Sequence, residues 1–351
     1  MPIIGSPHES SSTRTVSIHQ STMQGLRRTN SVLGLDIGAG AVKMVELSRG
    51  AIRSCAFSLR SCAEDSSHDS DADAIRDALR RTAPRARRAV VGLDDADVIV
   101  HRFSLPKDLP LAETEGQARL QAGQAAPFPL GEAAFDYVAE TAGRRTQGFR
   151  MAIARSAAVD ALCRAVGLAG LSVAAVDVTT FAVQGAIAAV AGRDAPLAVL
   201  DGGHRQLRLT VHSGGESVFQ HSQPFGCAQL AGRLSSAYGL SDSDTHKALA
   251  ECALPGGGAA RIRESFLKDL ARHAARAMQL HLTARPNIAP PERMLLWGGA
   301  ALLHGACTAL REELDLPVEA IGIPAFGTDD GASQFSPALF GAYALALNDH
   351  A

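Results

Sequence analysis

The sequence predicts an α/β fold of two lobes with a small α+β insertion in the first, and three observations predict it. The pattern of apolar strand, Asp, glycine turn and second strand occurs twice, at 32–47 and again at 197–212. A further glycine pair, Gly298-Gly299, follows the buried-type strand Met294 to Trp297 and leads into a helical stretch. Between the first hairpin and an Ala-rich helix at 179–190 stands a run of short strands broken by three helices, the middle one of mixed polarity. The chain has 351 residues, 46% hydrophobic and 20% charged, which suffices for two lobes with sizeable cores.

In the first copy Val32, Leu33, Leu35 and Ile37 lead to Asp36, Gly38 and Gly40, and Val42, Met44, Val45 and Leu47 resume the strand around Lys43. Ala51 to Leu59 reads as a third strand, 61–73 as a Ser/Asp-rich loop and Ala74 to Arg81 as a short helix. Strands at 89–93 and 98–104 flank the turn signal Asp94-Asp95, and a helix over 111–125 stops at Pro127 and Pro129. Strands at 134–140 and 149–154, a helix from Ser156 to Val166 and a strand at 171–176 complete this half. The second copy runs Leu197 to Leu200, Asp201, Gly202-Gly203 and Leu207 to His212, with a further strand at 218–222. Helices follow at 226–238, 241–252 (with a Ser241-to-Asp244 capping pattern), 261–284 and 300–314. A strand at 318–321 and a closing helix at 336–348, with proline at its first turn, end the pattern.

Bulk properties exclude several classes of function. A net charge of −2 gives no sign of nucleic acid or of an anionic membrane surface as the main partner. The six cysteines are scattered without CxxC or metal spacing, which favours reduced thiols in a cytoplasm. No apolar run is long enough for a membrane span, and 171–192 is interrupted by Asp177, Thr179, Thr180 and Gln184. Residues 1–30, rich in Ser, Thr, His and Arg, read as a disordered tail. The arginine run at 85–88 and the pair Arg144-Arg145 read as solvated loops, with a lipid surface or an acidic partner as the alternative.

The chemistry is concentrated in the glycine loops. Glycine reaches backbone angles closed to other residues, so several N–H groups can turn toward one anion. A carboxylate beside such a nest holds the waters of a magnesium ion, which casts Asp36 and Asp201 as metal-side acids acting through water. Gly38, Gly40 and Lys43 face the phosphates in this reading, with Gly202 and Gly203 opposite and Gly298, Gly299 and Ala300 at the nucleoside. For Lys43 the alternative is a solvent-facing strand residue, and for His204 and Arg205 a turn surface. Lys247 reads first as a solvated helix lysine.

Three such sites in this order resemble the actin-like ATPase superfamily, over about residues 32–348. The resemblance implies an actin-like bilobed fold of two duplicated ribonuclease-H-like subdomains, with the first lobe at 31–190, an insertion at about 89–176, and the second lobe at 191–351. Within it, LGLDIGAGAVKMVEL, AAPFPLGEAAFDYVAE and MLLWGGAALLHG are similar to segments of the PilM family of type IV pilus assembly. That implies ATP and Mg2+ as cofactors and a cytoplasmic scaffold, peripheral at the inner membrane. It also implies a partner, a PilN-like inner-membrane protein captured through its N-terminal cytoplasmic peptide, with homo-oligomerisation open and the membrane reached only through that partner.

Departures from the family pattern qualify the enzyme reading. The hydroxyl residues usual after the first Gly are replaced by Ala39, Gly40 and Ala41, and Leu207 stands where the second loop carries Thr. Gln184, 17 residues before Asp201, falls where actin has a water-orienting glutamine; the bland reading is a polar residue on an Ala-rich helix. The expectation is a nucleotide binder that is at most a slow ATPase. A phosphotransferase of the sugar-kinase branch and an FtsA-like filament former are the alternatives. The first lacks a distinctive substrate motif, and the second lacks a basic amphipathic C-terminal helix in SPALFGAYALALNDHA.

Overall fold

The computed structural model describes residues 16–17, 31–60, 68–191, 196–241, 244–245, 256–322 and 336–348. A two-residue strand, β1 (Val16–Ser17), precedes the hairpin β2 (Val32–Ile37) and β3 (Ala41–Ser48), continued by β4 (Ala51–Leu59). Arg49 and Gly50, both at positive φ, make the tight β3–β4 turn. Helix α1 (His68–Thr82) leads to β5 (Arg88–Leu93), and β9 (Ser172–Val178) closes the lobe. These strands form one sheet in the order β1-β9-β5-β2-β3-β4, with β2, β5 and β9 parallel and β2-β3-β4 antiparallel.

The second lobe repeats the plan. Strands β10 (Leu197–Gly202), β11 (Leu207–Ser213) and β12 (Glu216–Gln223) are antiparallel, and β13 (Arg293–Trp297) and β14 (Val318–Ala320) add in parallel on the other side of β10. The order β12-β11-β10-β13-β14 mirrors β4-β3-β2-β5-β9 strand for strand. The duplication read from two short sequence segments therefore extends over both whole sheets.

Helix α4 (Thr179–Ala191) and the closing helix α8 (Phe340–Leu347) lie between the sheets. They share one core with Val45 and Val90 of the first sheet and Val199, Leu295 and Trp297 of the second. Every residue of α8 from Phe340 to Ala346 is buried, which explains its unbroken apolar sequence. Gly34 of β2 touches the backbone of Ala342 and Ala346, so any side chain there would push α8 away. The sequence assigned 336–348 to the second lobe; the structure returns this helix onto β2 and β3 of the first, because its two apolar sides need two partners.

The insertion is narrower than 89–176. Its two ends, β5 and β9, belong to the first-lobe sheet, where Ala89–Leu93 pairs with Val173–Val178. The separate sheet is β6 (Val98–Pro106), β7 (Ala133–Ala142) and β8 (Thr146–Arg155), in the order β6-β8-β7, with α2 (Leu111–Ala125) on one face. Ala118 and Ala122 of α2 pack on Met151 and Ile153. On the other face Ala152 meets Val178 and Phe181, which docks the insertion on the first lobe. Helix α3 (Ser156–Leu168) then leads back to β9.

Three helix boundaries differ from the expectation. Helix α1 begins at His68, inside the stretch read as loop, and the Arg60–Asp71 ion pair of 2.5 Å ties its first turn to the end of β4. The stretch 300–314 divides into a 3-10 turn (Gly299–Leu302) and α7 (Ala306–Leu314), because Gly305 at φ 90° breaks the path. Helices α5 (Cys227–Tyr238) and α6 (Gly256–Ala284) follow the pattern, α6 starting five residues early. Most of the predicted helix 241–252, including Lys247, lies outside the described residues, although the Ser241 hydroxyl accepts from the Asp244 N–H at 3.1 Å as a cap should. The predicted tail 1–30 likewise lies outside them, apart from β1, which pairs in parallel with Val176 and Asp177.

Candidate functional site

A cleft of about 420 Å³ opens between the lobes, and the two hairpin turns and the glycine turn after β13 converge on it. Asp36 ends β2 and sits directly across the ladder from Lys43, whose Nζ is 2.9 Å from its Oδ2. Asp201 occupies the same position in β10, across the ladder from Arg208 at 3.4 Å. The two lobes thus present the same device, a carboxylate at a strand end held by a cation on the neighbouring strand.

Close packing explains the glycines. A side chain on Gly40 would strike His204 at 2.8 Å, so the first loop lies against the second across the cleft. A side chain on Gly38 would meet the Lys43 ammonium at 2.8 Å, and Arg60 braces this turn through the Gly38 carbonyl at 3.0 Å. Gly298 has φ 85° and lies 2.8 Å, measured from the position its Cβ would take, from the Asp201 Oδ1. Gly202 packs on the Ala300 side chain, bringing the β13 turn against the second hairpin. The N–H groups of Cys227 and Ala228 donate to the Gly203 and His204 carbonyls at 3.1 and 2.8 Å, which seats α5 against the second loop.

Electrostatically the cleft is a mixed, crowded environment. Burial is the largest influence on Asp201 and, despite Arg208 and Lys43, leaves its carboxyl pushed up to about 7. Burial works against the charge on Lys43, but Asp36, Asp201 and Asp94 outweigh it and raise its pKa. Burial also opposes the Arg208 charge, and Asp95, Asp201 and Asp94 overcome it. The Cys227 thiol lines the cleft but is held at about 12, chiefly by burial, and is no nucleophile.

Of the residues singled out in the sequence, Asp36, Gly38, Gly40, Lys43, Asp201, Gly203, Gly298 and Gly299 line the cleft, as do His204 and Arg205. Gly202 and Ala300 stand just behind, packed on each other. Gln184 is not among the cleft-lining residues: it borders a small cavity that Asp201 and Arg208 also line, and its Oε1 accepts from Arg150 at 3.4 Å. Arg150 itself is buried, stacked 4.3 Å over the Phe181 ring, which fixes the glutamine from the insertion side.

The sequence reading missed three residues. Asp94 and Asp95, taken only as a turn signal, reach into the cleft from the end of β5. Arg208 Nε lies 3.1 Å from Asp95 Oδ2, and a terminal nitrogen 3.6 Å from Asp94 Oδ1, so one guanidinium joins the lobes. Gln220 donates to Asp95 at 3.0 Å and the Thr180 hydroxyl donates to the same oxygen. The available signal was the parallel between the copies: a cation seven residues after each strand-end aspartate, Lys43 after Asp36 and Arg208 after Asp201.

Comparison with known proteins agrees with this architecture. Over 92% of this chain and 99% of the other, the fold matches the solved PilM-PilN type IV pilus biogenesis complex at a TM-score of 0.76 and 24% identity. It also matches the ethanolamine utilization protein EutJ from Carboxydothermus hydrogenoformans at 0.56 and 14% identity, over 95% and 92% of the two chains. The fold is actin-like. A sequence profile described as type IV pilus assembly protein PilM matches residues 34–326. The chain belongs to that family.

Proposed function

We propose that this chain is an ATP-loaded, actin-like scaffold of type IV pilus assembly that docks the N-terminal cytoplasmic tail of a PilN-like inner-membrane protein. The observation that carries the nucleotide part is the convergence of three glycine turns and two strand-end aspartates on one interlobe cleft. Glycine turns leave room for a polyphosphate between the lobes, with Lys43, Arg205 and Arg208 as cations lining the cleft. The turn at Gly298–Gly299 is the nucleoside side.

A magnesium ion fits this donor set. Among the described residues no group of three or more His, Cys, Asp or Glu is placed to grip a metal directly, so an ion here would be held through water. Asp36 and Asp201 would hold it, and the four cleft carboxylates (these two with Asp94 and Asp95) favour a divalent cation accompanying the phosphates. When bound, magnesium neutralises phosphate charge. The hydroxyl positions lost from both loops (Ala39, Ala41 and Leu207) and the Gln184 hydrogen bond to Arg150 support slow turnover at most.

The partner part rests on family membership and on one edge of the first sheet. Among the described residues, strand β9 is bordered by β5 on one side and on the other by the two residues of β1. Among the described residues the rest of that edge is unpaired, and β1, which lies against β7 of the insertion, demonstrates the parallel register open to an extended segment. We place the partner tail there. In this reading the protein works on the cytoplasmic face of the inner membrane. Titration of a synthetic peptide of the partner's tail into the full chain, with magnesium and ATP, tests it: saturable 1:1 binding is expected. Absence of binding by a protein that still takes up nucleotide would sink the partner assignment and leave the cleft standing.

A further inference from the structure

The end of the first-lobe sheet opposite the cleft is an arginine face. Strands β2, β5 and β9 all begin there, and the β3–β4 turn and the segment joining α1 to β5 cross it. Arg49 and Arg53 come from the turn and β4, Arg80 and Arg81 from the last turn of α1, and Arg85, Arg87 and Arg88 from the segment after it; all seven are exposed.

Their grouping is built by specific bonds rather than inferred from the sequence alone. Glu46, buried at 1% exposure, accepts from the Ser54 hydroxyl at 3.1 Å and from the N–H groups of Arg85 and Ala86 at 3.0 and 2.9 Å. One carboxylate therefore ties the backbone of Arg85 to β4 at Ser54. The Arg87 carbonyl accepts from the Ser172 N–H at 2.9 Å, which holds the same segment against the start of β9. Asp77 pairs with Arg80 and Arg81. Among the described residues the other five arginines have no ion pair. Leu168, 46% exposed at the end of α3, stands at this same end, its carbonyl held by Arg76 at 2.7 Å.

We propose that this face docks directly on an anionic lipid bilayer, through arginine–phosphate contacts with Leu168 entering the headgroup layer. The inference is independent of the nucleotide site and goes beyond membrane association through a partner. Guanidinium groups suit phosphate because their planar forks bond two oxygens at once. The concentration of like charge on one end of a chain whose net charge is −2 gives the molecule an orientation at a negative surface. Strength is expected to fall with salt, since the interaction decays within a Debye length of about 8 Å at physiological ionic strength.

The test is co-sedimentation of the full chain with vesicles of phosphatidylcholine alone, or with about a third phosphatidylglycerol. Binding to the anionic vesicles only, weakened by salt, is expected. Each arginine near the surface contributes about fivefold, so Arg49→Gln with Arg53→Gln and Arg85→Gln lowers binding about 100-fold. Arg144→Gln with Arg145→Gln, in the turn between β7 and β8, leaves it unchanged. A thermal unfolding midpoint equal to that of the parent shows that the triple variant is folded. Equal binding to neutral vesicles, no vesicle binding at low salt, insensitivity to the triple variant, or tighter binding to a duplex oligonucleotide than to lipid would each overturn the proposal.

Discussion

At the scale of single residues, the cleft is governed by two carboxylates with unlike surroundings. Asp36 lies against Lys43 at 2.9 Å, whereas Asp201 meets Arg208 only at 3.4 Å, and burial pushes its pKa up to about 7. A raised folded-state pKa means the native state holds a proton that the unfolded chain releases near pH 4, so the contribution to stability is full below that and is lost as pH rises through about 7. Asp201→Asn is expected to flatten the stability profile between pH 4 and 7, read by urea unfolding at several pH values. Removing Arg208 leaves Asp95 without its counter-charge. Arg208→Leu is expected to cost about 3 kcal/mol at pH 8 in the same measurement. The aspartates were legible in the sequence because apolar strands frame them. Arg208 was not, because a basic residue within a strand reads as solvent-facing until the partner lobe supplies Asp94 and Asp95.

At the scale of elements, the two sheets show what periodicity conveys and what it omits. Strand–turn–strand units were readable from alternating apolar residues and glycine turns, and most strands lie within two residues of the expected bounds. Helix α8 was expected as a helix, but its partner was not, since a helix apolar on all sides states only that it is enclosed. Its contact with Gly34 gives a sharp check: Gly34→Val is expected to destabilise the protein by about 3 kcal/mol in denaturant unfolding, because the added group meets backbone. The insertion boundaries were overextended for a related reason. Strands β5 and β9 look locally like the neighbouring β6 and β8, and only pairing distinguishes them. Strand β1 occupies two positions of the β9 edge that an extended partner segment would use. Ser17→Pro, which removes a backbone donor from that strand, is expected to tighten partner-peptide binding a few-fold by calorimetry. Unchanged or weaker binding would place the peptide elsewhere.

At the scale of the whole molecule, the lobes are joined by the α4–α8 layer at the base and by the Arg208 contacts within the cleft. A ligand that touches both hairpins and the β13 turn links the same two bodies, so nucleotide and fold stability are coupled. This predicts a protein whose rigidity depends on its load, with the β9 edge on one flank and the arginine face at the far end of the first sheet. The fold class and the three-turn constellation followed from the sequence because they rest on local patterns. The interlobe ion pairs did not, and of the arginine face only the run at 85–88 was visible, because residues far apart in the chain build the rest. The most direct test of the account is thermal unfolding with magnesium and ATP at about 100 times its dissociation constant, beside Asp36→Ala. A stabilisation of about 2.7 kcal/mol, seen as a midpoint several degrees higher and absent in the variant, is the predicted result. An unchanged midpoint at millimolar nucleotide, or an equal rise in Asp36→Ala, would contradict the assignment of the cleft.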